Sequence, residues 1–134
     1  MYLNDLWSFY FHDPYNIDWK ISSFKLICQI NNVDDYIKLY MYYKNIIPKG
    51  MFFIMREDIL PIWEDESNKS GGCFSYKIFK ENVDDKFFEI TSRLLGETLG
   101  KNNNVSNNVN GISICPKKNY FIIRIWIKDN KYAI

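Results

Sequence analysis

Histidine is almost missing from this sequence: His12 is the only one in 134 residues. A zinc site built on several imidazoles is thereby excluded. Cysteine is scarce as well. Cys28, Cys73 and Cys115 are odd in number, widely spaced and contain no Cys-x-x-Cys. Neither a disulfide framework nor a metal site is expected, and a reducing compartment, the cytoplasm, fits this usage. No apolar run approaches the roughly 18 residues of a membrane span. The first residues, Met1-Tyr-Leu-Asn-Asp-Leu-Trp7, show neither the basic region nor the small-residue cleavage site of a signal peptide. An excess of one charge is also lacking, with 17 Lys+Arg against 16 Asp+Glu. A protein that holds nucleic acid mainly by its phosphates is usually more basic. A nucleic-acid ligand, if there is one, is expected to be read at a single feature.

Apolar and aromatic residues are plentiful. The hydrophobic fraction is 47% and the aromatic fraction 18%, which argues against disorder of the whole chain. The length suits one domain, residues 1–134, with a real but modest core. The abundance of Asn, Lys, Ile, Tyr and Phe suggests an AT-rich genome.

Residues 6–12 are aromatic-rich and predict a strand, followed by a polar loop over 13–18 that leads into Trp19. Residues 24–30 alternate and predict a second strand. From Val33 the apolar positions Val33, Tyr36, Ile37, Tyr40 and Met41 recur at helical spacing, with Asn32 as cap and Asp34 and Asp35 at the positive end. Pro48-Lys-Gly50 marks a turn before a third strand at 51–56. The segment from Leu60 to Gly72 ends in polar residues and glycines, so Trp63 is expected at the lip of a loop. A fourth strand at 73–80 precedes a long amphipathic helix, Asp84 to Leu99, with Phe87, Phe88, Leu94 and Leu95 facing the core. The Asn-rich stretch 100–110 predicts a mobile loop. Residues 111–116 and 120–128 predict a closing strand pair, with Lys117, Lys118 and Asn119 at its turn. The order β-β-α-β-β-α-β-β implies an α+β domain, a curved antiparallel sheet of about six strands carrying two helices on one face.

Two tryptophans fall in irregular segments. Each could plug an edge of the core, since large aromatics are buried on average. The neighbours of Trp63 offer another reading. Glu64 follows it, then Asp65 and Glu66. A fixed carboxylate can accept two parallel hydrogen bonds from the N1 and N2 hydrogens of a guanine while an indole stacks on the base. Methylation at N7 makes that base cationic, and each cation–π contact is worth on the order of 0.5–2 kcal/mol. Asp65 and Glu66 also fit a solvated turn.

The segment Pro61-Ile-Trp63-Glu64-Asp65-Glu66-Ser-Asn68-Lys69-Ser-Gly71-Gly72 closely resembles the signature of the translation initiation factor 4E family. Trp7-Ser-Phe-Tyr10-Phe11 resembles the family's first strand, Val33-Asp-Asp-Tyr36-Ile-Lys-Leu-Tyr40 its first helix, and Leu94-Leu95-Gly96-Glu97 the end of its second. Gly111 followed by Ile125-Trp126 keeps the family spacing. The resemblance implies a curved sheet backed by helices that binds the 7-methylguanosine cap of messenger RNA on its concave face. By position, Trp19 and Trp63 would stack the base, Glu64 would read its edge, and Trp126 would touch the N7-methyl group, with ordinary strand core as the other reading of Trp126. The resemblance implies no cofactor.

The chain also departs from the family's pattern. Cys73 stands where a basic residue usually follows Gly-Gly, Lys117 replaces a phosphate-binding arginine, and Ile122 replaces a lysine. Residues two apart in a strand share a face, so Arg124 could take over from position 122. Lys117, Lys118 and Arg124 are thus the expected phosphate contacts, with a solvated turn as the bland reading of the lysine pair. The partner-binding face implied by the resemblance is Val33, Ile37, Phe88 and Ser92, where Ile37 replaces a tryptophan and Ser92 an apolar residue. Scaffold peptides of the initiation factor 4G type are expected to bind poorly or to be replaced by an adapted partner. Family members usually continue beyond the last strand, whereas eight residues follow Trp126 here. Together these features fit a large virus or a parasite with a compact genome. The expected functions are cap binding in translation initiation through an adapted scaffold, or cap sequestration that represses or diverts translation. Catalysis is not expected: the carboxylates of 64–66 are consecutive, and no Gly-rich cofactor loop is present.

Overall fold

The computed structural model describes residues 2–44, 50–100 and 102–129. Its six strands are β1 (Tyr2–His12), β2 (Lys25–Asn32), β3 (Met51–Arg56), β4 (Gly72–Phe79), β5 (Val109–Pro116) and β6 (Tyr120–Ile127). The helices are α1 (Val33–Tyr43), α2 (Glu66–Lys69), α3 (Val83–Leu95) and α4 (Asn103–Asn107). The strands form one curved antiparallel sheet in the order β2-β1-β3-β5-β6-β4. The two long helices, α1 and α3, cover its convex face. Among the described residues, no helix is long and apolar enough to cross a membrane.

Alternation along the strands sorts side chains between two layers. Trp7, Phe9, Phe52, Ile54, Ile112, Ile114, Ile123 and Ile125 point to the helices and join Phe87, Leu94 and Leu95 of α3 in the larger core. The opposite, concave face carries a smaller cluster of Tyr10, Met51, Phe53, Met55, Ile59, Cys115 and Trp126. In α1, Tyr36 and Leu39 are buried, whereas Val33, Ile37 and Met41 stay exposed as a strip one turn apart. Asn32 caps α1 as expected, its side chain accepting from the Asp35 amide at 2.8 Å.

Three expectations need correction. The helix predicted to reach Leu99 stops at Leu95, because Gly96 ends it and Glu97 turns into the left-handed region at φ 57°. That turn lets Glu97 grip Arg56 with both carboxylate oxygens at 2.7 and 2.9 Å, while Arg56 also stacks over Trp7 and reaches Asp5. The Asn-rich stretch is not wholly loop: it forms α4, and β5 begins at Val109. Its amides replace missing backbone partners. Asn102 caps α4, and Asn108 exchanges two 2.8 Å hydrogen bonds with the backbone of Asp129. The first strand begins at Tyr2 rather than at residue 6, paired there with Asn32 of β2. Pro48 and Lys49 of the expected turn lie outside the described residues.

Candidate functional site

A cavity of about 350 Å³ opens on the concave face, within the range typical of small-molecule sites. Trp19 reaches it from the β1–β2 connection, Trp63 and Glu64 from the β3–α2 connection, and Arg124 and Trp126 from β6. Its floor is Met51, Phe53 and Ser113, with Phe24 and Cys73 at the sides. Trp19 and Trp63 are 50% and 47% exposed, so neither is an edge plug of the core. Trp126 is different. It is 9% exposed and its indole N–H donates to the Ser113 hydroxyl at 3.2 Å, so it is both strand core and cavity wall.

The indoles belong to a continuous aromatic series. His12 stacks parallel on Trp19 with ring centroids 4.0 Å apart and an interplanar angle of 4°. Phe24 leans on both, Phe53 meets Phe24 edge-on at 5.2 Å, and Trp126 meets Phe53 at 6.3 Å and Trp63 at 5.8 Å. His12 is fully buried, and its Nε2 proton donates to the Asp18 carbonyl at 2.7 Å. The imidazole thus backs one face of Trp19 and ties the residue before it. In the sequence His12 stands out only as a lone histidine; the alternation Ser8, Tyr10, His12 along β1 is the signal that it shares the concave face.

The loop that carries Trp63 is held from below. Asp65 caps α2: one carboxylate oxygen accepts from the Ser67 amide at 2.8 Å and the other from the Leu60 amide at 2.9 Å. Asn68 is 1% exposed and its Nδ2 donates to the carbonyls of Leu60 and Ile62 at 3.1 and 2.8 Å. Asn110 of β5 donates in turn to Asn68 Oδ1 and to the Ser67 carbonyl, at 2.9 and 2.7 Å. Asp65 is therefore not a solvated turn residue, whereas Glu66 is exposed. Two glycines permit the same region to close. A Cβ on Gly71 would lie 1.8 Å from the Ile127 carbonyl oxygen, and one on Gly111 would lie 2.3 Å from that of Ile54.

Of the residues singled out from the sequence, Trp19, Trp63, Glu64, Trp126 and Arg124 converge on the cavity. Lys117 and Lys118 do not line it; they are exposed at the β5–β6 turn. Arg124 has no hydrogen-bond or ion-pair partner among the described residues, which leaves its guanidinium available to an anion. On the convex side, Val33 and Ile37 are exposed. Phe88 packs between Tyr36 and Tyr40, and Ser92 donates to the Tyr36 hydroxyl at 3.5 Å. Burial raises the Tyr36 pKa; hydrogen bonds from Ser92 and Thr91 oppose that in part. A second groove of about 240 Å³ lies between α3 and β4. Its charges, Lys86, Glu89 and Arg93, pair with one another, so it offers no converging free polar groups.

The family model described as eukaryotic initiation factor 4E matches residues 2–133. Translation initiation factor 4E of the fungus Eremothecium gossypii is 25% identical over 98% of this chain and 64% of its own length. An initiation factor 4E homolog of Acanthamoeba polyphaga mimivirus is 30% identical over 67% of this chain and 39% of its own length. The chain thus spans less than two thirds of these relatives. Among solved structures, the fold matches the complex of C. elegans initiation factor 4E-3 with the 4E-binding protein Mextli and a cap analog. The TM-score is 0.86 at 17% identity, covering 98% of this chain and 76% of that one.

Proposed function

The chain belongs to the eukaryotic initiation factor 4E family, and we propose that it binds the 7-methylguanosine cap of messenger RNA in the concave cavity, in the service of translation initiation. The observation that carries this reading is the convergence of two half-exposed indoles, Trp19 and Trp63, with the Glu64 carboxylate on one cavity. The base enters between the indoles, and its N7 charge is stabilised by their π-faces. Glu64 accepts the N1 and N2 hydrogens as a charge-assisted pair. Trp126 walls the methyl group, and Arg124 meets the first phosphates. Backing by His12 and the Asp65–Asn68 support reduces the ordering cost of binding. Cap complexes among the structural neighbours are consistent with this reading. The test is retention on immobilised 7-methyl-GTP. The protein should be retained and released by free 7-methyl-GTP but not by GTP, and Trp63→Ala should pass through. Release by both nucleotides alike would refute methyl-specific recognition.

The exposed strip Val33, Ile37 and Met41 supports a helical partner that takes the place of the usual scaffold peptide. A second reading, cap sequestration without a scaffold, is favoured by Ile37 in place of an indole and by the internal use of Phe88 and Ser92. Capture from lysate of the natural source separates them. Recovery of a scaffold factor with a helicase supports initiation. No scaffold, together with inhibition of capped-message translation by added protein, supports sequestration.

A further inference from the structure

The concave face does not end at the base cavity. Register between β4 and β6 pairs Cys73 with Trp126, Ser75 with Arg124, Lys77 with Ile122, and Phe79 with Tyr120. Cys73, Arg124 and Trp126 border the cavity, so strand alternation puts Ser75, Lys77 and Phe79, and Ile122 and Tyr120, on that same face. Their intervening neighbours Phe74, Tyr76, Ile125 and Ile127 border the groove on the helix side. A stripe therefore leaves the cavity at Arg124, passes Lys77 about 7 Å farther along the sheet, and ends at the Phe79–Tyr120 pair about 13 Å away.

The chemistry of that stripe is cationic and aromatic. The Lys77 ammonium lies 4.4 Å from the Tyr120 ring centroid and 6.0 Å from that of Phe79. Phe79 is 57% exposed, a large apolar surface with no core role. Lys77 has no carboxylate partner among the described residues. The concave-facing positions 73, 75, 77 and 79 of β4 and 120, 122, 124 and 126 of β6 carry two cations and no acid. A groove that tracks phosphates with cations and offers ring faces for bases is the general pattern of single-stranded nucleic-acid binding.

The geometry points to a second subsite, in which Lys77 holds the phosphate that follows the cap triphosphate and Phe79 with Tyr120 stacks the first transcribed base. The proposal rests on the cap-binding reading, because the stripe has meaning as its continuation. Lys77 lies directly across the strand pair from Ile122, one same-face step from the Ser75–Arg124 pair. The sequence alone hid Lys77 because its proximity to Arg124 comes from pairing between strands about 50 residues apart.

The test compares affinities for 7-methyl-GTP, a capped pentanucleotide and the same uncapped pentanucleotide, by fluorescence titration at several salt concentrations. Wild type should bind the capped pentanucleotide about tenfold more tightly than 7-methyl-GTP. Phe79→Ser should bring that ratio close to one. Lys77→Ala should lower it and reduce the salt slope for capped RNA by about 0.7. Both side chains are exposed, and circular dichroism melting confirms that the variants fold; Lys77→Glu should lower the ratio further. A ratio near one in wild type, or a ratio unchanged in Lys77→Glu and Phe79→Ser, overturns the subsite and leaves cap binding standing. Failure of wild type to bind 7-methyl-GTP overturns the cap reading and the subsite together.

Discussion

Asn68→Ala isolates the support beneath Trp63. The wild-type amide donates to two carbonyls of the loop, Leu60 and Ile62, and accepts from Asn110, all in a site that is 1% exposed. Alanine removes three hydrogen bonds and takes the partner from the Leu60 carbonyl, while the Ile62 carbonyl keeps the Asp65 amide at 3.3 Å. Asn110 keeps its bond to the Ser67 carbonyl, so its amide is not left bare. At about 1 kcal/mol net for each bond, the loss is about 3 kcal/mol, or about 10 °C in Tm for a chain of this size. Binding should suffer separately. If the freed loop holds Trp63 in place for only a tenth of the time, the affinity for 7-methyl-GTP falls about tenfold. Thermal unfolding by circular dichroism reads the first effect, and titration well below the variant's Tm reads the second. An Asn68→Ala protein that melts lower but binds the nucleotide as wild type does would refute the claim that Asn68 positions Trp63. Unchanged melting would refute the structural role as well.

Glu64→Gln replaces an acceptor pair by one acceptor and one donor, and should weaken 7-methyl-GTP binding by about 2 kcal/mol, about thirtyfold, in calorimetry. Arg124→Ala should lessen the salt dependence of binding the same nucleotide by nearly one unit of slope while leaving the preference over GTP intact. The raised Tyr36 pKa has a consequence at alkaline pH. The phenol is neutral when protonated, so its share of stability is complete below the unfolded value of 10.0 and is lost as pH rises through the higher folded value. Urea midpoints of wild type should therefore fall above pH 10 more steeply than those of Tyr36→Phe.

Sequence periodicity revealed most of the fold, because strand alternation and helical spacing each repeat several times within an element. The six strands and both long helices were legible. What failed was local. Leu95 looks no different from Leu99 as a helix residue, and only the Gly96–Glu97 turn and the distant Arg56 explain the stop. The Asn-rich stretch looks mobile because composition does not reveal that Asn108 and Asn110 meet backbone groups 21 and 43 residues away. That Trp19, Trp63 and Glu64 line one cavity was legible through the family resemblance carried by the motif around Trp63. The supporting roles of His12 and Asp65 were not, since they depend on which ring or amide the folded chain brings within reach. Lys117 and Lys118 match phosphate contacts only by position along the chain, and in the fold they are exposed at the β5–β6 turn, outside the cavity lining.

The central claim is methyl-specific recognition between two indoles. Tryptophan fluorescence titration of the wild-type protein with 7-methyl-GTP and with GTP tests it most directly. Strong quenching with 7-methyl-GTP is expected, with at least about tenfold weaker binding of GTP, the loss of one cation–π contact or more. Equal affinity for the two nucleotides, or full affinity in Trp63→Ala, would contradict it.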